Sequence, residues 1–190
     1  AWMGFQPNQK IVIKSAVSTD GGSTWSSPIW LAHQQASNSS ADVSLGFDAS
    51  GNLYMAYIDY DNINFTNGAI ICRKSTDGGL SWGAAVVALS IASCPNQLCI
   101  DRPWIAVDPL TGTVAITSMN AEQPGMVLAP YHPYLTLSSD GGNTWSVLLN
   151  GSGTQVLTDV CFPNECAGYV VGNNNIVIKI KCGSNGIADA

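Results

Sequence analysis

Ser18-Thr19-Asp20-Gly21-Gly22-Ser23-Thr24-Trp25 recurs in this chain as Ser75-Thr76-Asp77-Gly78-Gly79-Leu80-Ser81-Trp82 and again as Ser138-Ser139-Asp140-Gly141-Gly142-Asn143-Thr144-Trp145. The three aspartates stand 57 and 63 residues apart, the spacing at which one supersecondary unit is repeated and stacked on its neighbour. Asp20, Asp77 and Asp140 are suited to accept hydrogen bonds from the backbone of their own turns, and the glycines that follow supply positive φ at no Cβ cost. Trp25, Trp82 and Trp145 are expected to fold back over the hairpin base, where two short strands alone are marginal. Together with the leading Ser18, Ser75 and Ser138, these residues read as determinants of fold rather than of catalysis.

Outward from these turns the chain reads as strand. Ile11–Val17, Leu53–Ile58, Ala69–Cys72, Val114–Thr117 and Ile176–Ile180 are short, β-branched or aromatic, and bounded by Gly, Asn or Asp. A second phrase also repeats: Gly46-Phe47-Asp48-Ala49-Ser50-Gly51-Asn52-Leu53-Tyr54 matches Ala106-Val107-Asp108-Pro109-Leu110-Thr111-Gly112-Thr113-Val114, with aspartates 60 residues apart. Each is a hairpin turn between apolar strands. One hairpin at Asp48 or Asp108 and one at the Asp-Gly-Gly turn make four antiparallel strands per unit, the content of a propeller blade. The expected fold is all-β and propeller-like, a single domain or segment over 1-190. Its units fall at about 42-88 and 102-149, with partial ones at 1-30 and 153-182; the last is expected to be a hairpin turning at Gly172-Asn173-Asn174-Asn175. About three blades do not close by themselves, because closed propellers typically use about four to eight. Either a homodimer completes the ring or the chain is part of a longer one.

Composition narrows the partners. Hydrophobic residues make up 46% and charged residues 11%, so the surface is finished with Ser, Thr, Asn and Gly, an extracellular style. A net charge of -6 and only seven basic residues leave no cationic stripe for phosphates, which argues against nucleic acid. No apolar run approaches the roughly 18 residues that cross a bilayer, and Ala1 opens no basic-then-apolar leader. Six cysteines form an even set. Cys94/Cys99 and Cys161/Cys166 share a four-residue spacing around a Pro-Asn turn signal, so a local bridge is expected in each, with Cys72 and Cys182 left as a long-range pair. Neither histidine lies near these pairs and no Cys-x-x-Cys occurs, so no metal site is expected there. Asn38, Asn64 and Asn150 each open an Asn-x-Ser/Thr triplet, the pattern of an N-glycosylation acceptor in a secretory eukaryotic host.

The repeated turn resembles the Asp-box (BNR repeat) family, whose pattern is Ser-x-Asp-x-Gly-x-Thr-Trp, and in particular the sialidase-like propellers. The one departure is Ser81 in place of Thr, and the resemblance spans residues 10-182. Asp101-Arg102-Pro103-Trp104-Ile105-Ala106-Val107-Asp108 also looks like the blade openings of secreted bacterial members. The resemblance implies turns on the outer hairpins, away from the central cleft. It further implies that a sialidase of this kind needs an arginine cluster for the substrate carboxylate, a tyrosine activated by a glutamate, and an aspartic acid for proton transfer.

Against that requirement the chain offers only Arg73 and Arg102. Arg73 is expected to be a solvated charge on an outer strand, while Arg102 opens a blade and is the candidate to face the axis; the Arg-Ile-Pro phrase of the family enzymes is absent. Glu122 and Glu165 are the only glutamates, both in expected loops. Asp61 and Glu122 are the candidate acid and base, serviceable if about 5 to 9 Å apart. Tyr57, Tyr60, Trp104, Tyr131, His132 and Tyr134 are the candidate ligand-binding set, since aromatic faces stack on sugars. Asp59-Tyr-Asp61-Asn62-Ile-Asn64 carries oxygen ligands that suit Ca²⁺, without the Gly and Glu of a helix-loop-helix site; no other cofactor is expected. Three readings stand: a secreted carbohydrate-binding segment, catalytically incomplete alone; a glycoside hydrolase whose remaining residues come from a partner or a longer chain; and a structural scaffold.

Overall fold

The computed structural model describes residues 1-8, 10-64, 67-94, 100-119, 133-150, 157-164, 167-173, 175-181 and 187-188. They form four antiparallel sheets in chain order. The first holds β1 (Trp2–Phe5), β2 (Ile11–Ser15) and β3 (Ile29–Trp30). The second holds β4 (Ser39–Phe47), β5 (Leu53–Tyr60), β6 (Gly68–Ser75) and β7 (Val86–Ser90), and a 3₁₀ turn, Ile91–Ser93, follows it. The third holds β8 (Asp101–Val107), β9 (Val114–Met119), β10 (Pro133–Ser138) and β11 (Ser146–Asn150); the fourth holds β12 (Leu157–Asn164), β13 (Ala167–Gly172), β14 (Val177–Lys181) and β15 (Ile187–Ala188). Each sheet is a meander in which neighbours in sequence pair in space. The array is broadly propeller-like, and among the described residues it is not closed into a ring.

Strand β5 shows why the sheets stack. All eight of its residues are buried, and because side chains alternate across a strand its two faces enter two different cores. Tyr54, Ala56, Ile58 and Tyr60 pack with Ile105, Val107, Val114, Ile116 and Tyr134 of the third sheet. Met55 and Tyr57 pack with Ile13 and Leu31 on the first-sheet side. A third core joins Ala106, Ala115, Leu135 and Leu137 to Leu157, Val160, Val170, Ile178 and Ile180 of the fourth sheet. The first strands of the complete sheets lie side by side, β4 on β8 and β8 on β12.

The repeated turns share one hydrogen-bond pattern. Ser18 Oγ donates to Asp20 Oδ1 at 2.8 Å and accepts from Gly22 N at 2.7 Å, while Thr24 N and Oγ1 donate to the two Asp20 oxygens at 2.9 and 2.6 Å. The turns at Asp77 and Asp140 repeat these bonds within about 0.1 Å of the same lengths, and Ser81 supplies the hydroxyl that Thr gives elsewhere. These donors hold all three carboxyls down at about 2. Gly79 and Gly142 adopt φ of +95° and +86°, and a Cβ on Gly142 would meet Cys72 Sγ at 3.5 Å. The turn therefore lies against the sheet that precedes its own.

The tryptophans follow that docking instead of merely covering their own hairpin bases. Trp82 Nε1 donates to Ser15 Oγ of the first sheet at 2.9 Å, and Trp145 packs on the core between the second and third sheets. Trp25, in the first of the described sheets, is 65% exposed.

Expectations about the end units and the cysteines are corrected. The first unit is a three-stranded sheet, because Trp2–Phe5 pairs with β2, and the last has four strands rather than one hairpin; its hairpin does turn at Gly172–Asn175, closed by Gly172 N to Ile176 O. Cys72 is a free buried thiol, not half of a pair with Cys182. It faces the core between the second and third sheets, whereas Cys182, outside the described residues, follows the end of β14 in the fourth. Cys161 is likewise free, exposed on β12 and not half of a pair with Cys166, which is also outside the described residues. Cys94 is disulfide-bonded. Cys99, read from the sequence as its partner, lies outside the described residues, so no sulfur–sulfur pair among the described residues stands for the expected Cys94–Cys99 bridge.

Candidate functional site

The innermost strands carry the same irregularity at matching positions. In β4 the pairing with β5 slips between Ala41 and Ser44, and in β8 the pairing with β9 slips between Asp101 and Trp104. Each slip is a bulge that places two residues opposite one and re-aims their side chains. The bulged residues Asp42 and Arg102 take φ of 52° and 48°, a left-handed backbone that non-glycine residues adopt at a cost of about 1 to 3 kcal/mol. Both stand six residues before the hairpin aspartates Asp48 and Asp108, so the repeat extends into the bulge. Ile105 N donates to Ser44 Oγ at 3.2 Å and ties the two inner strands together.

Between them opens a cleft of about 430 Å³ lined by Trp2, Met3, Asp42, Val43, Ser44, Arg102, Pro103 and Trp104. Trp2 and Trp104 are 42% and 51% exposed, and the Arg102 side chain is exposed as well. Next to Arg102 at the start of β8, Asp101 is 2% exposed. Its Oδ1 accepts from Arg102 N at 3.0 Å, its Oδ2 receives no donor, and the Asp42 carboxyl lies within hydrogen-bond reach. Burial first, then Asp42, pushes Asp101 up to about 6 against the opposing pull of the Arg102 N–H and guanidinium. Burial, Asp42 and Asp101 also raise the neighbouring Tyr60 phenol.

Of the residues singled out from sequence, Arg102 and Trp104 meet in this cleft. Tyr57, Tyr60 and Tyr134 are at most 8% exposed and serve in the cores, with burial raising all three phenols. Asp61 is committed to its turn, accepting from Ile63 N at 3.0 Å and from Asn64 N and Nδ2 at 3.3 Å. Glu122, Glu165, Tyr131 and His132 lie outside the described residues. Arg73 is not a loose surface charge: it donates to Tyr57 Oη at 2.9 Å, Gly83 O at 2.7 Å and Ala32 O at 3.0 Å. Asp59, the other end of the candidate calcium run, is buried under donors from Asn38, Ser40 and Gln34 N, with His33 Nδ1 at 3.3 Å. That network anchors the entry into β4.

Sequence reasoning passed over Trp2, Asp42 and Asp101. The signal for Asp42 was the hairpin phrase itself: carried back six residues from Asp48 and Asp108, it aligns Asp42 with Arg102. Trp2 carried none, since four residues ahead of a turn do not announce a strand.

No protein-family model and no curated protein matches the chain. Solved structures do. A Hadza microbial sialidase, Hz136, superposes with a TM-score of 0.64 at 14% identity over 95% of this chain and 40% of that one. The α-L-arabinanase of Penicillium chrysogenum, complexed with arabinobiose, gives 0.56 at 18% identity over 97% and 56%. The Trypanosoma rangeli sialidase, in complex with 2,3-difluorosialic acid, gives 0.55 at 16% identity over 90% and 31%. This chain thus spans less than two thirds of each of those proteins and shares an all-β fold with them.

Proposed function

We propose that the chain is a secreted, saccharide-binding segment of a sialidase-like propeller, its repeated turns being Asp boxes, and that it is catalytically incomplete by itself. The observation that carries this reading is the cleft between the inner strands, where the exposed rings of Trp2 and Trp104 flank Arg102 and Asp42. Indole faces stack on the apolar faces of sugar rings, and the charged groups between them suit hydroxyl oxygens. Incompleteness follows from the arginines: Arg73 is held by Tyr57, Gly83 and Ala32, so Arg102 is the guanidinium this chain brings to the cleft. A second copy or the remainder of a longer chain supplies the rest of the ring.

Arabinobiose, the ligand of the arabinanase structure, and sialic acid, the parent sugar of the 2,3-difluorosialic acid in the sialidase complex, are the first probes. Titration calorimetry on the chain is expected to show binding of one of them, weakened about tenfold by Trp104→Ala, equivalent to about 1.4 kcal/mol. Release of reducing sugar from an arabino- or sialo-oligosaccharide would replace this reading with the hydrolase. Failure of both probes to bind would remove it.

A further inference from the structure

We propose that Asp42 and Asp101 hold one proton between their two carboxyl groups, and that this shared proton makes the cleft take up its saccharide more tightly in acid than at neutral pH. The second half rests on the saccharide reading above; the first does not.

The argument begins with an orphan. Asp101 is 2% exposed and its Oδ2 meets no protein donor, yet it has a second carboxyl, that of Asp42, in hydrogen-bond reach. A buried acceptor without a donor is costly, and two ionised carboxylates at contact repel. One proton between them removes both penalties, as in other paired carboxyls. The surrounding charges fit that state. Arg102, on the same strand as Asp101, steadies one negative charge; Tyr60 of β5 remains protonated, and β9 and β1 bring no ionisable side chain. Asp59 of β5 is taken up by its own donors, and Lys14 of β2 lies over the Trp30 ring, 4.3 Å from its centre. On β12, Asp159 accepts its own strand's Val160 N–H at 2.8 Å, and Cys161 is exposed.

Asp42 belongs to the cleft wall and Asp101 is buried next to Arg102. A saccharide closing the cleft must therefore desolvate Asp42, while Asp101 is already removed from water. While one proton is shared, it covers a single negative charge, and the free carboxyl oxygens of Asp42 accept from sugar hydroxyls. Once the proton leaves, the same contact buries a second charge, so binding takes up a proton and weakens as pH rises through about 6.

Carboxyl ¹³C NMR of the native chain tests the pair without any ligand. One of the two aspartates is expected to titrate near 6, to move down in Asp42→Asn while staying above the ordinary carboxylate range because Asp101 remains buried, and to disappear in Asp101→Asn; a high step unmoved by Asp42→Asn overturns the shared proton. Calorimetry with arabinobiose and sialic acid is expected to show affinity falling about tenfold from pH 5 to pH 7 in the native chain and changing less than about twofold in Asp42→Asn. Native-chain data decide the matter should either variant fail to fold. Ordinary titration of both carboxyls overturns the shared proton, and a high-titrating pair with pH-independent affinity overturns its link to uptake. If neither saccharide binds at any pH, the saccharide reading and the uptake claim fall together, while the ligand-free titration still decides the pair.

Discussion

Cys72 and Cys161 occupy opposite surroundings, although both read from sequence as halves of disulfides. Burial between the second and third sheets pushes the Cys72 thiol up to about 12, which leaves almost no thiolate to attack a reagent. Cys161 is exposed on β12. Iodoacetamide followed by peptide mapping should therefore modify Cys161 within minutes and leave Cys72 untouched until the chain unfolds; labelling of Cys72 at the Cys161 rate would contradict its burial. The pairing was illegible because spacing in sequence says which thiols are near along the chain, not which face of a strand each occupies. The repeated carboxyls were legible for the converse reason: every donor to Asp20, Asp77 and Asp140 comes from within four residues.

Among the elements, the Asp-Gly-Gly turns do two jobs that the sequence did not separate. Each closes its own hairpin, and those at Asp77 and Asp140 also brace their sheets against the one before. Trp82 makes the second job visible through its bond to Ser15, and Trp25, 65% exposed, shows the first job alone among the described residues. Trp82→Ala is accordingly expected to cost about 2 kcal/mol in denaturant unfolding, below the range for fully buried aromatics. Trp25→Ala is expected to stay within about 0.5 kcal/mol. Equal losses at the two sites would mean that the indole serves only its own turn. Strand positions and hairpin turns were read correctly wherever β-branched runs met Gly or Asp. Trp2–Phe5 was missed because a four-residue strand with one buried-facing position gives no periodicity to read.

For the whole molecule, two sets of carboxyls pull the pH dependence in opposite directions. Asp20, Asp77 and Asp140 sit at about 2 against 3.8 for a free carboxyl, so their contribution is complete above 3.8 and is lost as pH falls through about 2. Asp101 sits at about 6, so its contribution is complete below 3.8 and is lost as pH rises through about 6. Urea unfolding across pH 2 to 8 should then find greatest stability between about pH 4 and 5, with the neutral-side decline absent in Asp101→Asn. A profile that rises steadily to pH 8 would exclude the high-titrating aspartate.

The sequence by itself determined the repeating all-β plan, the hairpin at Asp48 and Asp108, and the chemistry of the three glycine-backed turns, because each is written in contacts between residues a few positions apart. Only the tertiary structure decided which sheet each tryptophan covers, which thiols stay free, and that Asp42 and Asp101 meet beside Trp2, Arg102 and Trp104. Those outcomes depend on two inner strands some 60 residues apart in sequence being bulged at matching positions and pressed side by side, and a proton is shared only where sheet packing removes the water that would otherwise solvate each carboxylate separately.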